Sequence, residues 1–308
     1  YYTRPVTVPS RLFLRRAGTL LRVAAAAMLA ASLLLEHERE QLERDAIGRA
    51  RGVLSAVDAH LRASVAALET LAASRHLAAG DLQAFHAESQ QVLRTQPAWV
   101  NIGLASADKM QISNAVYNFG KPEPFSQAVD EESFDAVVRT GRPVVGSIAA
   151  GTVVQRPTAR VRVPVVLGGE IRYVLSAPLN LAQVGALLEA QRLPEGWFIG
   201  VVDREHRVVA RIPAVPAGVP ASDSIREATE RAQEGWFHGR NLDGRPTYTA
   251  YVTSPMSGWT LGIGIPEREV EAETRIMLSL LAAGVLGSLI IGLLAAWLIA
   301  RRQGSAPA

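Results

Sequence analysis

Arg160 and Arg162 stand two residues apart in Arg160-Val-Arg-Val-Pro-Val-Val-Leu167, a run that reads as a strand. Side chains at i and i+2 of a strand share a face, so both guanidiniums would point one way, opposite Val161, Val163 and Val165. Guanidinium groups fork carboxylates and phosphates, which makes the pair a candidate anion site. The same spacing suits an outer sheet face on which both arginines are merely solvated, and the sequence alone leaves both readings open. Asp130-Glu131-Glu132 is the densest carboxylate group nearby. It precedes Ser133 to Thr140 and reads as the acidic start of a helix rather than as a catalytic cluster.

Other chemistry is thinly represented. The chain has no cysteine, which excludes disulfides, thiolate metal sites and a cysteine nucleophile. Its six histidines (His37, His60, His76, His86, His206 and His238) are scattered, with no pair at metal-ligand spacing. Gly262-Ile-Gly264 lies in a predicted strand and does not form a phosphate-binding loop ahead of a helix. No Gly-x-Ser-x-Gly elbow occurs. The chain is therefore expected to be non-enzymatic, with no cofactor and no metal. The net charge of +3 is no argument for nucleic acid, because much of the basic excess sits near the ends and no basic patch interleaves with aromatics.

Two apolar stretches bracket the chain. Ile276 to Ala300 is nearly uncharged and long enough to cross a bilayer as a helix. Gly284, Ser288 and Gly292 set two small-xxx-small pairs on it, which suit close helix pairing and are also simply common in membrane helices. Ala17 to Leu35 is a second candidate, interrupted by Arg22, whose stem can snorkel. It reads as an uncleaved membrane helix or, alternatively, as a signal peptide, although no clean small-residue cleavage site follows. Arg4, Arg11, Arg15 and Arg16 precede the first stretch and Arg301 and Arg302 follow the second. By the positive-inside rule both termini are expected in the cytoplasm and the centre outside, so the expected location is a bacterial inner membrane with a periplasmic domain. The chain begins with Tyr1 and is expected to continue past Ala308 into a cytoplasmic output region.

The central region changes period along its length. Leu42, Ala46, Ala50, Val53, Val57, Leu61, Val65, Leu68 and Leu71 recur at spacings of three and four, predicting one long helix from Glu36 to about Ala79. The length of that stripe predicts a homodimer through this helix and the membrane helices. Asp81 is placed to cap a second helix, Leu82 to Thr95. Strands are predicted over Trp99–Ala107, Gln111–Tyr117, Val144–Ala149, Arg160–Leu167 and Ile171–Leu179, with a loop at Phe119–Pro124 and a tight turn at Gly168-Gly169. Alternation puts Gln111, Ser113, Ala115 and Tyr117 on one face, and Ile112, Asn114 and Val116 on the other.

After a linker helix, Leu181 to Gln191, the order recurs. Strands are predicted over Trp197–Val202, Arg207–Ile212, Gly235–Asn241, Pro246–Thr253 and Gly258–Ile265, with a helix from Ser222 to about Gln233. Trp99-Val-Asn-Ile-Gly103 parallels Trp197-Phe-Ile-Gly200, Asp108 and Asp203 each sit at a first turn, and the last strands end in Pro178 and Pro266. The centre thus reads as a duplicated α+β unit.

Span, long helix, two five-stranded modules and second span together resemble the double Cache sensors, PAS-like extracytoplasmic domains of bacterial histidine kinases, chemoreceptors and diguanylate cyclases. The resemblance is carried by Ser257-Gly-Trp-Thr-Leu-Gly-Ile-Gly-Ile-Pro266, by Leu193-Pro-Glu-Gly-Trp-Phe-Ile-Gly-Val-Val-Asp203 and by Asp243-Gly-Arg-Pro-Thr-Tyr248. It implies an α+β chain with a long N-terminal helix and two tandem PAS-like modules with antiparallel five-stranded sheets, flanked by two transmembrane helices. The layout would be a flank at 1–16, transmembrane helix 17–35, signalling helix 36–80, membrane-distal module 81–180, linker helix 181–194, membrane-proximal module 195–273, transmembrane helix 274–300 and tail 301–308. It also implies ligand sensing, with histidine-kinase sensors the best match in style; a chemoreceptor, a diguanylate cyclase or a periplasmic protein-interaction module is the alternative. The ligand, a small molecule and by the arginine reading an anion, would sit in the distal module. Trp99, Asn114, Tyr117, Arg160, Arg162 and Tyr173 are its candidate contacts, each of the three aromatics also readable as core or rim. The Arg-x-Trp element of the amino-acid-binding branch is missing between Trp99 and Asn180, so the resemblance does not extend to amino-acid sensing.

Overall fold

A computed structural model describes residues 10–120, 130–150 and 156–303. Parts of the predicted 1–16 flank and 301–308 tail lie outside these residues, as do Pro122 and Pro124 of the predicted Phe119–Pro124 loop. The chain divides into two compact units, Asp45–Pro266 and the described parts of Tyr1–Arg44 with Glu267–Ala308.

Two helices account for the second of these. α1 runs Ser10–Ala72 and α7 runs Glu267–Gln303. On α7, Ile276, Leu280, Leu286, Ile290, Ile291 and Leu294 are exposed apolar side chains, as are Met28, Leu29, Leu33 and Leu34 on α1. Among the described residues, no helix is long and apolar enough to cross a membrane.

In Asp45–Pro266, α1 ends at Ala72 rather than Ala79. A short helix α2 (Arg75–Ala78) follows, with Ser74 as its N-cap accepting from the His76 N–H. That cap is the physical reason for the break, since serine competes for backbone donors where a helix restarts. Asp81 caps α3 (Leu82–Thr95) by accepting from Ala84 N–H at 3.0 Å, as its sequence position predicted.

The first sheet comprises β1 (Gly103–Ser106), β2 (Gln111–Asn114), β3 (Val144–Val145), β6 (Arg160–Leu167) and β7 (Glu170–Pro178), in the order β2-β1-β7-β6-β3. Between β2 and β3 lies α4 (Glu131–Thr140), and β4 (Ala149–Ala150) pairs with β5 (Pro157–Thr158). Predicted strand Trp99–Ala107 is shorter than expected, with Trp99 bridging Leu179 in isolation. Predicted strand Val144–Ala149 is split at Gly146–Ile148 into β3 and β4, with the Gly146 N–H still donating to the Arg160 carbonyl of β6 at 2.8 Å.

α5 (Leu181–Glu189) leads to the second sheet, of β8 (Phe198–Val202), β9 (Val208–Ile212), β10 (Glu234–Arg240), β11 (Pro246–Thr253) and β12 (Thr260–Pro266), with α6 (Asp223–Arg231) between β9 and β10. Its order, β10-β11-β12-β8-β9, is that of the first sheet read from the other edge. All neighbours are antiparallel. The duplication read from the sequence is therefore a duplication of topology: β1 corresponds to β8, β2 to β9, α4 to α6, β3 to β10, β6 to β11 and β7 to β12.

One face of each sheet packs against the others and against α1 in a shared core. Ala50, Val53, Leu54, Val57, Leu61, Leu68 and Leu71 of α1 join Val161, Val163, Leu175, Ile199, Val201, Leu261 and Ile263 there. Burial of such side chains removes each from water at roughly 25 cal/mol per Å² of apolar surface. The apolar stripe that predicted a dimer is thus covered by the chain's own sheets. The opposite face of each sheet is covered by its own short helix, α4 or α6.

Candidate functional site

Alternation on β6 sends Val161, Val163 and Val165 to the α1 side and Arg160, Arg162 and Pro164 to the α4 side. Neither arginine is solvated: Arg160 is 5% exposed and Arg162 0%. The outer-face reading of the pair is therefore excluded, because α4 covers the face on which they lie.

The sequence marked Asp130 only as a helix-start residue, yet it is the centre of this face. It caps α4 by accepting from the Ser133 N–H, with its own backbone in the left-handed region at φ 43°. That conformation is uncommon for a residue with a Cβ and occurs where surrounding contacts hold it. Its carboxylate accepts from Arg162 Nη1 at 3.3 Å, from Ser133 Oγ at 2.6 Å and from the Ser147 N–H at 3.1 Å. Arg162 Nη1 also donates to the Asp130 carbonyl at 3.1 Å and to Ser133 Oγ, and its guanidinium lies 5.8 Å from the centre of the Phe134 ring. Gly146 has to be glycine here. A Cβ at that position would run into the Asp130 carboxylate and the Ser133 hydroxyl.

Charge on this face does not balance. Burial pushes both guanidiniums down to about 10, and Asp130 draws each part of the way back. At neutral pH both remain cations. Glu131 and Asp135, two of the three further acids on α4 (the other is Glu132), are bound to Lys109 at 2.8 Å and 2.9 Å. Two buried cations thus share one hydrogen-bonded carboxylate, Asp130, with Asp135 acting on Arg162 only from a distance and already bound to Lys109; Arg160 Nη1 is buried with no hydrogen-bond partner among the described residues. A buried donor left unmade is costly and is best explained by a group that completes it.

The six predicted residues fall in different places. Arg162 pairs through the sheet with Ser176, Ser176 with Gly103, and Gly103 with Asn114, so Asn114 shares the arginines' face three strands along. Asn114 is buried and accepts from the Val116 N–H at 3.2 Å. Tyr117 is 41% exposed, at the edge of a polar recess of about 10 Å³ that it shares with Asn114, Asn118 and Phe119; this holds about one water. Trp99 and Tyr173 pack with the α1 core, on the far side of the sheet from the arginines. Leu104 pairs with Ser113 and Ala105 with Gln111, so Ile112 is an extra, bulged residue of β2 that breaks its predicted alternation and packs toward the α1 core, while Ser113 binds His86 Nδ1 at 2.8 Å. Among the described residues, no group of three or more His, Cys, Asp or Glu is placed to hold a metal.

The second module has a cavity of about 50 Å³ between its sheet and α6, lined by apolar side chains and by Arg211 and Arg240.

No protein-family model and no curated protein sequence matches the chain. Solved structures do. The extracellular domain of rpHK1S-Z16, provisionally assigned as a histidine kinase, superposes with a TM-score of 0.61 at 12% identity, over 75% of this chain and 97% of that one. The ligand-binding domain of Mlp24 with asparagine gives 0.57 at 15% identity, over 78% and 98%. The ligand-binding domain of the Pseudomonas fluorescens chemoreceptor CtaA with L-isoleucine gives 0.57 at 11% identity, over 77% and 98%. At these identities the likeness is one of fold, and in its fold the chain matches extracytoplasmic sensor domains, as the double Cache resemblance implied.

Proposed function

We propose that the chain is the extracytoplasmic ligand-sensing part of a bacterial transmembrane receptor and that its first module takes a small anion at Arg160 and Arg162. The observation that carries this is the under-compensated charge: two buried guanidiniums, one carboxylate hydrogen-bonded to them, and a buried Nη1 of Arg160 without a partner among the described residues. A carboxylate or phosphate oxygen entering there supplies what the face lacks. Asparagine and isoleucine, bound by the solved relatives, each carry a carboxylate, the group such a pair takes. Asn114, Tyr117 and the residues of α4 complete the surroundings in this reading; Trp99 and Tyr173 act from behind, by fixing the sheet.

Ligand and Asp130 compete for Arg162. An anion that takes over the guanidinium loosens Asp130 from it, and with it the Asp130 hold on Ser147 and on the start of α4. A ligand that binds one of these arrangements more tightly shifts the population toward it.

Output in this reading passes through α7, which begins at Glu267 where β12 ends. The apolar sequence Ile276–Ala300, the arginines after it and the exposed apolar side chains on both terminal helical segments favour a two-pass membrane arrangement with the sheets outside and both termini inside. A histidine kinase is the output we favour, with a chemoreceptor as the alternative. The chain itself is read as non-enzymatic.

A thermal-shift screen of the purified full chain against carboxylates, phosphate esters, amines and nucleobases tests the proposal. Stabilisation confined to anions supports it. Stabilisation by amines or nucleobases alone contradicts it.

A further inference from the structure

The two modules can be compared row by row across their sheets. In the first, the row facing α4 is Val144–Arg162–Ser176–Gly103–Asn114. In the second, the corresponding row facing α6 is Gly235–Tyr251–Gly262–Gly200–Arg211. The cavity of about 50 Å³ lies over this second row, with Gly200, Gly262 and Arg211 among its walls. It occupies the place in its module that the arginine face occupies in the other.

Its floor is made by two cross-strand-paired glycines at the centre of the sheet. The other face of the same strand, β12, is filled by Leu261, Ile263 and Ile265, all buried. A strand centre with full side chains on one face and none on the other keeps a space open. Neither glycine is there for backbone conformation, since neither has a positive φ. Added Cβ atoms would meet only ordinary contacts, 3.5 Å from Ala210 O and Arg211 Cγ for Gly200, and 3.5 Å from Thr249 Cγ2 for Gly262.

Its walls are mostly apolar, including Val208, Ile225, Phe237 and Leu242. Among the described residues, the charged ones lining it are Arg211 and Arg240. Arg211 has a side chain 6% exposed, stacks 5.2 Å from the centre of the Phe198 ring, and donates to Asp243 Oδ2 at 2.7 Å. Asp243 is 51% exposed at its side chain, so it can turn out to water and leave Arg211 to another carboxylate. The volume holds about four water-sized spheres at roughly 10–15 Å³ each.

We propose that this cavity is a second ligand site, separate from the arginine pair of the first module, which takes a short-chain aliphatic monocarboxylate with its tail on the Gly200–Gly262 floor and its carboxylate at Arg211. The volume limits the acid to about four carbons. The proposal does not depend on the first-module site.

The test uses the purified full chain in detergent, with butyrate as the probe. Calorimetric titration is run on the wild type, on the double variant Gly200→Ala/Gly262→Ala, and on Arg211→Gln. Methyl NMR of the wild type looks for intermolecular contacts from butyrate to Ile225 and Leu242. Expected are saturable binding, at least tenfold weaker in the glycine double variant and in Arg211→Gln, and contacts to both methyl-bearing residues. No saturation by wild type at millimolar butyrate, or affinity equal to wild type in either folded variant, overturns the proposal. Should the double variant fail to fold, absence of the wild-type methyl contacts overturns it by itself.

Discussion

Asp130 and Asp203 accept hydrogen bonds from consecutive backbone amides: Ser147 N–H donates to Asp130 Oδ2 at 3.1 Å, and Ile148 N–H donates to Asp203 Oδ2 at 2.7 Å. The first aspartate belongs to the arginine face of the first module. The second sits at the first turn of the second module, where its other oxygen accepts from the Arg207 N–H at 2.8 Å. One dipeptide is therefore held from both modules. A ligand that draws Arg162 away from Asp130 acts on Ser147, and the next peptide carries that change to Asp203. This places a physical connection between the proposed anion site and the module whose last strand leads into α7.

Asp203→Asn is expected to weaken this connection. The carboxylate serves Ile148 and Arg207 with separate oxygens, and an asparagine amide nitrogen cannot accept, so one buried N–H is orphaned. A loss of about 1–3 kcal/mol is expected, measured by denaturant unfolding.

The same residue sets a pH dependence. Burial raises the Asp203 carboxyl above its ordinary value, against the pull of its backbone donors. The folded state therefore holds this proton to higher pH than the unfolded chain does. Its contribution to stability is greatest below the unfolded carboxyl value and is lost as pH rises through the folded one. Unfolding midpoints across the acid range should show this slope in the wild type, and Asp203→Asn should lack it.

The two arginines should respond with opposite signs. Arg162→Gln leaves Asp130 buried without its cation, and a loss of about 3–5 kcal/mol is expected for breaking such a pair. Arg160→Gln removes a desolvated cation with a nitrogen unpartnered among the described residues, so the ligand-free protein should be as stable as the wild type or more so. Thermal unfolding without ligand separates the two.

Gly146→Ala introduces a Cβ against the Asp130 carboxylate and the Ser133 hydroxyl. Overpacking of about 1–3 kcal/mol is expected, with weakened anion binding, because the residue that yields is the one holding Arg162. Chemical denaturation and titration of the same variant check both parts.

The sequence made the period changes plain. The strands Pro246–Thr253 and Arg160–Leu167 and the helix Leu82–Thr95 appear with the boundaries their patterns predicted, because each is bounded by turn or capping residues. The duplication was legible as an order of elements, and the sheet orders bear it out. What pattern could not show was partnership. Nothing local distinguishes Asp108, exposed at the first turn of one module, from Asp203, buried at the first turn of the other; the difference is a contact with Ile148, some 55 residues away in the chain. Asp130 reads as an ordinary helix cap, and only the fold brings Arg162 and Ser147 to it. The long apolar stripe of α1 implied a cover, and from Ala50 to Leu71 the chain's own sheets supply one.

The most direct measurement is calorimetric titration of the full chain with a panel of di- and tricarboxylates and phosphate monoesters, repeated on Arg160→Gln. The account predicts that at least one anion binds the wild type and that Arg160→Gln weakens it by about tenfold or more, since each 1.4 kcal/mol of lost charge-assisted hydrogen bonding is a factor of ten. Equal affinity for that anion in Arg160→Gln and wild type, or a neutral ligand bound where no anion is, would contradict it.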